Sequence, residues 1–225
     1  MKELFVPLVA SAIMAIASPA LAVPIAGGQT NVEVTADLAD LGLTPGITGT
    51  STIVSGDPLT LGFGISGGDL DFSTLAGTIE HEGVGVSLLA DFGTDDTGDD
   101  ITVILSDFVI DTVNALLFGD VDVGGDGVDV AGAELFEIDL TGLDAAAITD
   151  LDNPAIPLTF TATAAGLLQE TFGLDETIDL TGGEFGLAAT APIASDVVDV
   201  PEPAIATLFG LGIVGVAMHR RRRRL

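Results

Sequence analysis

The chain has 225 residues, with 34 acidic side chains against 6 basic ones, no Cys, Trp or Tyr, and 29 Gly. Lys2 and the run from Arg220 to Arg224 hold every basic residue, so residues 23–200 carry 32 acids (all but Glu3 and Glu202) and no Lys or Arg. Such a region excludes nucleic acid and anionic membrane surfaces as electrostatic partners, and the lack of Cys excludes a disulfide framework.

Residues 1–22 have the order of a secretory signal peptide. Met1 and Lys2 give a short positive start, an apolar stretch follows, and Ala20-Leu21-Ala22 supplies the small-x-small site that signal peptidase cleaves. Cleavage is expected between Ala22 and Val23. An exported location follows from that segment.

Residues 23–197 read as one acidic, β-rich extracellular domain. They are rich in Val, Leu, Ile and Ala and long enough for one core. Residues 48–54 and 59–65 have the β-branched and aromatic content of strands, with Ser55-Gly56-Asp57-Pro58 as the turn between them. Further strands are predicted at 31–36, 78–82, 84–89, 116–123, 133–140, 158–163, 177–180 and 185–189. Residues 101–110 are more continuously apolar and predict a central strand buried on both faces. Residues 144–148 and 164–170 are the helix candidates. The fold class is therefore mainly β: an antiparallel β-sandwich or barrel-like single domain with one or two short helices.

His81 sits in Glu80-His81-Glu82, where strand alternation turns both glutamates one way and the histidine the other. A packed or surface histidine is the plain reading. Thirty-two acids without a cationic partner either spread over a screened surface or gather divalent cations. The best local case is Asp120-Val121-Asp122-Val123-Gly124-Gly125-Asp126-Gly127-Val128-Asp129. Its glycines allow tight turns, and the oxygens of Asp120, Asp122, Asp126 and Asp129 suit a hard cation such as Ca²⁺. An ordinary hairpin turn with solvated acids stands beside that reading. Residues 95–100 form a second acidic loop with the same two readings.

Catalysis is disfavoured by subtraction. Residues 23–200 contain no Cys nucleophile, no Lys for a Schiff base, no Arg for phosphate and one His. Paired carboxylates would serve glycoside hydrolysis, but there is no Trp or Tyr platform for a sugar ring. The expectation is a protein that is not an enzyme. Thr48, Thr50 and Thr52 alternate as an ice-binding array would, without repeating.

The stretch around Glu80-His81-Glu82, with Leu105-Ser106-Asp107-Phe108-Val109-Ile110-Asp111 and Gly119-Asp120 downstream, faintly resembles the HtaA-type haem-uptake surface domain. The likeness covers about 100 residues and implies a β-rich fold. That family is expected to hold iron with a Tyr, which this chain lacks, so the resemblance carries the fold alone.

The other end carries a second address. Pro201-Glu202-Pro203 precedes an uncharged block from Ala204 to Met218, then His219 and five arginines. At about 1.5 Å per residue that block makes a helix of roughly 22 Å, a marginal span that would serve for transient inner-membrane association. The arginines would stay cytoplasmic. Residues 198–225 resemble the PEP-CTERM sorting domain, also known as the ice-binding protein C-terminal domain. The resemblance implies recognition of Pro201, Glu202 and Pro203 by an exosortase-type processing enzyme. It further implies delivery to the cell surface or extracellular matrix of a Gram-negative bacterium that makes exopolysaccharide. The expected role is structural or adhesive, linked to exopolysaccharide or biofilm; the competing class is a secreted module binding calcium, polysaccharide, haem or ice.

Overall fold

A computed structural model describes residues 22–90, 101–124, 127, 129–174 and 179–196. They form one antiparallel sheet of the strands β1 (Val23–Val34), β2 (Leu43–Gly49), β3 (Thr52–Gly56), β4 (Leu59–Gly64), β5 (Gly67–Asp71), β6 (Ala76–Ala90), β7 (Ile101–Asp111), β8 (Leu116–Val123), β9 (Val130–Ile138), β10 (Ile156–Phe160) and β11 (Glu184–Ala194). The order runs β11-β10-β9-β8-β7-β6-β5-β1-β4-β3, and β1 pairs with β11 as well, which closes the sheet into a barrel. The barrel-like alternative is the one the chain adopts. Closure removes most free edges, leaving β2 paired only with β6 and β3 only with β4.

The register gives the barrel two distinct ends. Ile25 pairs with Ala194, Asp71 with Ala76 and Asp111 with Leu116, which puts the β5–β6 and β7–β8 turns and the end of β11 on one rim, here called the base. Val34 pairs with Gly186, Ala90 with Ile101 and Val103 with Val123, which sets the β6–β7 and β8–β9 connections on the opposite rim. Helix α1 (Ala145–Thr149) follows β9 and packs on β11, while α2 (Ala162–Phe172) follows β10 and packs on β9 and β10.

Both helices are capped by residues suited to the task. Asp144 Oδ1 accepts from the Ala147 N–H at 2.9 Å, Thr161 Oγ1 accepts from the Ala164 N–H at 3.0 Å, and Gly173 closes α2 in the left-handed region at φ 59°.

Several strands differ from expectation for identifiable reasons. Residues 48–54 divide between β2 and β3, because Gly49 takes φ +64° and Ser51 leaves the strand direction to bind β6. The Thr48, Thr50, Thr52 alternation is broken there. Residues 78–89 form one strand, with Gly83 as a bulge at φ +68°. The matching irregularity in β7 has Asp107 at φ +50°, and its Oδ1 accepts the Gly83 N–H at 2.7 Å. β7 lies between β6 and β8 but is buried on one face only: Val103, Leu105, Phe108 and Ile110 point inward, while Ile101, Ile104 and Val109 remain partly exposed. Of the expected strand 177–180, residues 177 and 178 lie outside the described residues, and Asp179 and Leu180 are not in a strand.

Candidate functional site

Three places carry the chemistry anticipated from the sequence, and the first is the barrel interior. His81 is 2% exposed on β6, with Glu80 and Glu82 exposed on the other face. Its Nε2 lies 2.8 Å from Thr30 Oγ1 on β1, and Thr30 Oγ1 lies 2.9 Å from Thr190 Oγ1 on β11. Its Nδ1 lies 3.3 Å from the Phe108 carbonyl, which can only accept. His81 Nε2, Thr30 and Thr190 thus form one buried hydrogen-bonded relay, in which the Thr30 hydroxyl donates to Thr190 Oγ1. Burial lowers the His81 pKa to about 4, opposed by the Phe108 carbonyl. The imidazole is accordingly neutral at pH 7.

Around this relay the interior is apolar. One cavity of about 40 Å³ is lined by His81, Phe63, Phe108, Leu105 and Phe185, and a second of about 40 Å³, near α1, by Leu75, Ile79, Leu140 and Ile148. Thr30, Val32, Ile110, Leu117 and Leu158 line both. Water needs roughly 10–15 Å³ of such space, so each void has room for about three waters. Phe63 and Phe108 meet edge to face at 5.4 Å, and Phe136, Phe160 and Phe185 form a second aromatic group with centroids 4.8–5.6 Å apart. These rings fill the core and offer no external binding platform.

The second place is the β8–β9 connection on the rim away from the base. Asp120 and Asp122 lie on the same face of β8, opposite Ser106 and Ile104 of β7. The Asp120 carboxylate accepts the Gly132 N–H at 2.8 Å, and the Asp129 carboxylate accepts the Val123 N–H at 2.7 Å. Asp129 also donates its own N–H to the Val121 carbonyl at 2.8 Å, closing the turn. Asp126 lies outside the described residues, as does the acidic loop 95–100. Among the described residues no group of three or more acids or histidines is placed to hold a metal. Two of the four carboxylates expected to meet a cation thus also accept from backbone donors of the turn.

No sequence signal pointed to Thr30, Thr190 or Ser51, whose partners stand far along the chain. Ser51 is buried; its Oγ donates to the Gly85 carbonyl at 2.8 Å and accepts the Gly85 N–H at 2.7 Å. One hydroxyl thus replaces a strand neighbour for β6. Gly85 must lack a side chain there, since a Cβ would stand 2.5 Å from Thr48 Oγ1 and 2.6 Å from the Leu105 carbonyl.

The third place is the pair of termini. Ala22 is the first described residue and Val23 opens β1, paired with Leu70. Pro201, Glu202 and Pro203, and the apolar block after them, lie outside the described residues; among those described, no helix is long and apolar enough to cross a membrane.

Comparison with known proteins bears on the fold and on the tail. The chain is similar in fold to the C-terminal domain of HtaA from Corynebacterium glutamicum, with a TM-score of 0.50 and 9% identity over 77% of this chain and 99% of that one. No curated protein matches the chain. Residues 199–223 match the PEP-CTERM protein-sorting motif, which implies an extracellular protein recognised by an exosortase.

Proposed function

We propose that this is a non-enzymatic structural or adhesive protein of the bacterial surface, built as a signal peptide (1–22), an acidic β-barrel (23–197) and a sorting tail (198–225). The carrying observation is the sorting motif at residues 199–223, attached to a barrel region without Lys or Arg. In this reading signal peptidase frees Val23 and the apolar block 204–218 holds the chain transiently in the inner membrane with Arg220 to Arg224 inside. An exosortase-type enzyme then acts at Pro201-Glu202-Pro203. The released barrel joins the cell surface or extracellular matrix, where a surface dense in carboxylates suits a hydrated, exopolysaccharide-rich layer and stays soluble by self-repulsion.

The test is the fate of the tail. Mass spectrometry of surface protein from producing cells should find chains lacking Arg220 to Arg224. Replacing Pro201, Glu202 and Pro203 with Ala should leave full-length chains in the inner membrane. Surface protein that retains the arginine run would overturn the proposal.

A further inference from the structure

We infer that, while its tail anchors it, the barrel stands base-down on the bilayer, with Phe72, Val113 and Ile193 against the lipid headgroup region and the β6–β7 and β8–β9 rim facing outward. The inference rests on the anchoring proposed above and adds an orientation and a contact surface.

The exit point of the tail decides the orientation. β11 ends at Ala194 on the base, and Ser195 donates its N–H to the Pro24 carbonyl at 2.8 Å, so the chain is still held to the start of β1 as it leaves the barrel. Residues 195–203 then lead to the apolar block, a reach of about 30 Å at full extension. β6 alone has 15 residues, about 50 Å of path at ~3.3 Å each. The connection is too short to run back along the barrel wall and seat the opposite rim on the membrane.

The base is also built to offer apolar tips. Phe72, Val113 and Ile193 are 37%, 68% and 61% exposed and belong to the β5–β6 turn, the β7–β8 turn and the end of β11. The two hairpins lie side by side, since Gly77 of β6 donates its N–H to Thr112 Oγ1 at 2.8 Å and the Thr112 N–H donates to the Gly77 carbonyl at 3.0 Å. Each turn begins with an aspartate whose carboxylate folds back into it. Asp71 accepts from the Ser73 N–H and hydroxyl, and Asp111 from the Val113 and Asn114 N–H groups. These bonds lower both pKa values, led by the Ser73 side chain and the Asn114 backbone. The Asp71 and Asp111 carboxylates thereby fold back into their turns, beside exposed Ser73, Thr74 and Asn114, while the β9–β10 connection on the same rim exposes Asp139, Asp144, Asp150 and Asp152. A bilayer would not attract so acidic a body from solution, but a tether raises the local concentration enough for weak contacts to form.

The absence of Cys makes the test direct. Single variants Val113→Cys and Ile193→Cys report on the base, and Ala39→Cys, exposed in the β1–β2 connection at the other rim, serves as reference. The full chain is exported in a host without a processing enzyme, and a bulky maleimide is applied to spheroplasts. Alkaline extraction is the first readout: a chain released by it refutes the anchoring itself. For a retained chain, the expected result is severalfold slower labelling at positions 113 and 193 than at 39, with the difference lost in detergent. Inserting a flexible segment of about 20 residues after Ser195 should also abolish the protection. Equal labelling of both rims in membranes would overturn the orientation. Protection that survives detergent would show the base covered by protein, and would overturn the lipid contact.

Discussion

His81 is the residue where burial has the plainest energetic consequence. Its pKa is about 4 in the folded barrel against 6.5 for an unperturbed imidazole. About one pH unit above 6.5 it is neutral folded or unfolded and contributes no pH dependence. Below that the unfolded chain takes up a proton that the folded barrel refuses, so stability falls, by about 2 kcal/mol at pH 5 and approaching 3 kcal/mol at pH 4. Urea midpoints at pH 7.5 and pH 5 should show this loss in the native chain, and His81→Gln should show much less of it, whatever its own stability at pH 7.5. A variant with an undiminished slope would place the titration elsewhere. Ser51 makes the second residue-scale prediction. Ser51→Ala leaves the buried Gly85 N–H and carbonyl without their partner, and a loss of about 1–3 kcal/mol is expected in chemical denaturation. Neither role was legible in the sequence: a lone Ser and two Thr carry no pattern, and their partners lie 34, 51 and 160 residues away. The placing of His81 on the face opposite Glu80 and Glu82, by contrast, followed from strand alternation alone.

At the scale of elements, legibility followed local chemistry. Strand β8 and both helices were readable because alternation and caps are short-range signals: Leu116–Val123 alternates buried with partly exposed positions, and Asp144 precedes α1. Strand β5, Gly67-Gly68-Asp69-Leu70-Asp71, was not readable, because its composition is that of a turn and only pairing with β6 and β1 makes it a strand. The repeated Asp-Leu-Thr-Gly at 139–142 and 179–182 was a usable signal that went unread; in each copy the aspartate Oδ1 accepts the Thr N–H and the glycine has positive φ. The β8–β9 turn follows the same logic with Asp129. Asp129→Ala should therefore cost about 1 kcal/mol in the presence of EDTA, because the Val123 N–H loses its acceptor whether or not an ion is present. An unchanged melting temperature without divalent ions would mean that the carboxylate matters only as a ligand.

At the scale of the whole molecule the question is how the 31 acids of residues 23–197 are tolerated without a single Lys or Arg among them. Packing supplies the attraction: the closed sheet buries an apolar interior from every strand face that points inward, including Leu70, Ile79, Leu135 and Leu158, each at 2% exposure or less. Against it stands a repulsion felt across the surface, since neighbouring carboxylates have no cation to offset them. Mobile ions reduce that repulsion over a distance set by ionic strength, from about 30 Å at 0.01 M to about 8 Å at 0.15 M. The barrel should accordingly melt at higher temperature as NaCl is raised over this range, and a flat response would show that the acids are too far apart to matter. Calcium refines the test. A chelated ion would add RT ln(1 + [L]/Kd), about 2.7 kcal/mol at a hundredfold excess over Kd, beyond anything that screening gives. Asp120 and Asp129 each give one carboxylate oxygen to the Gly132 or Val123 N–H, and equal melting shifts with CaCl₂ and NaCl at matched ionic strength would mean an ordinary acidic turn. A clear excess with CaCl₂ that disappears in Asp126→Ala would instead establish a bound ion at the outward rim and refute screening as the whole account.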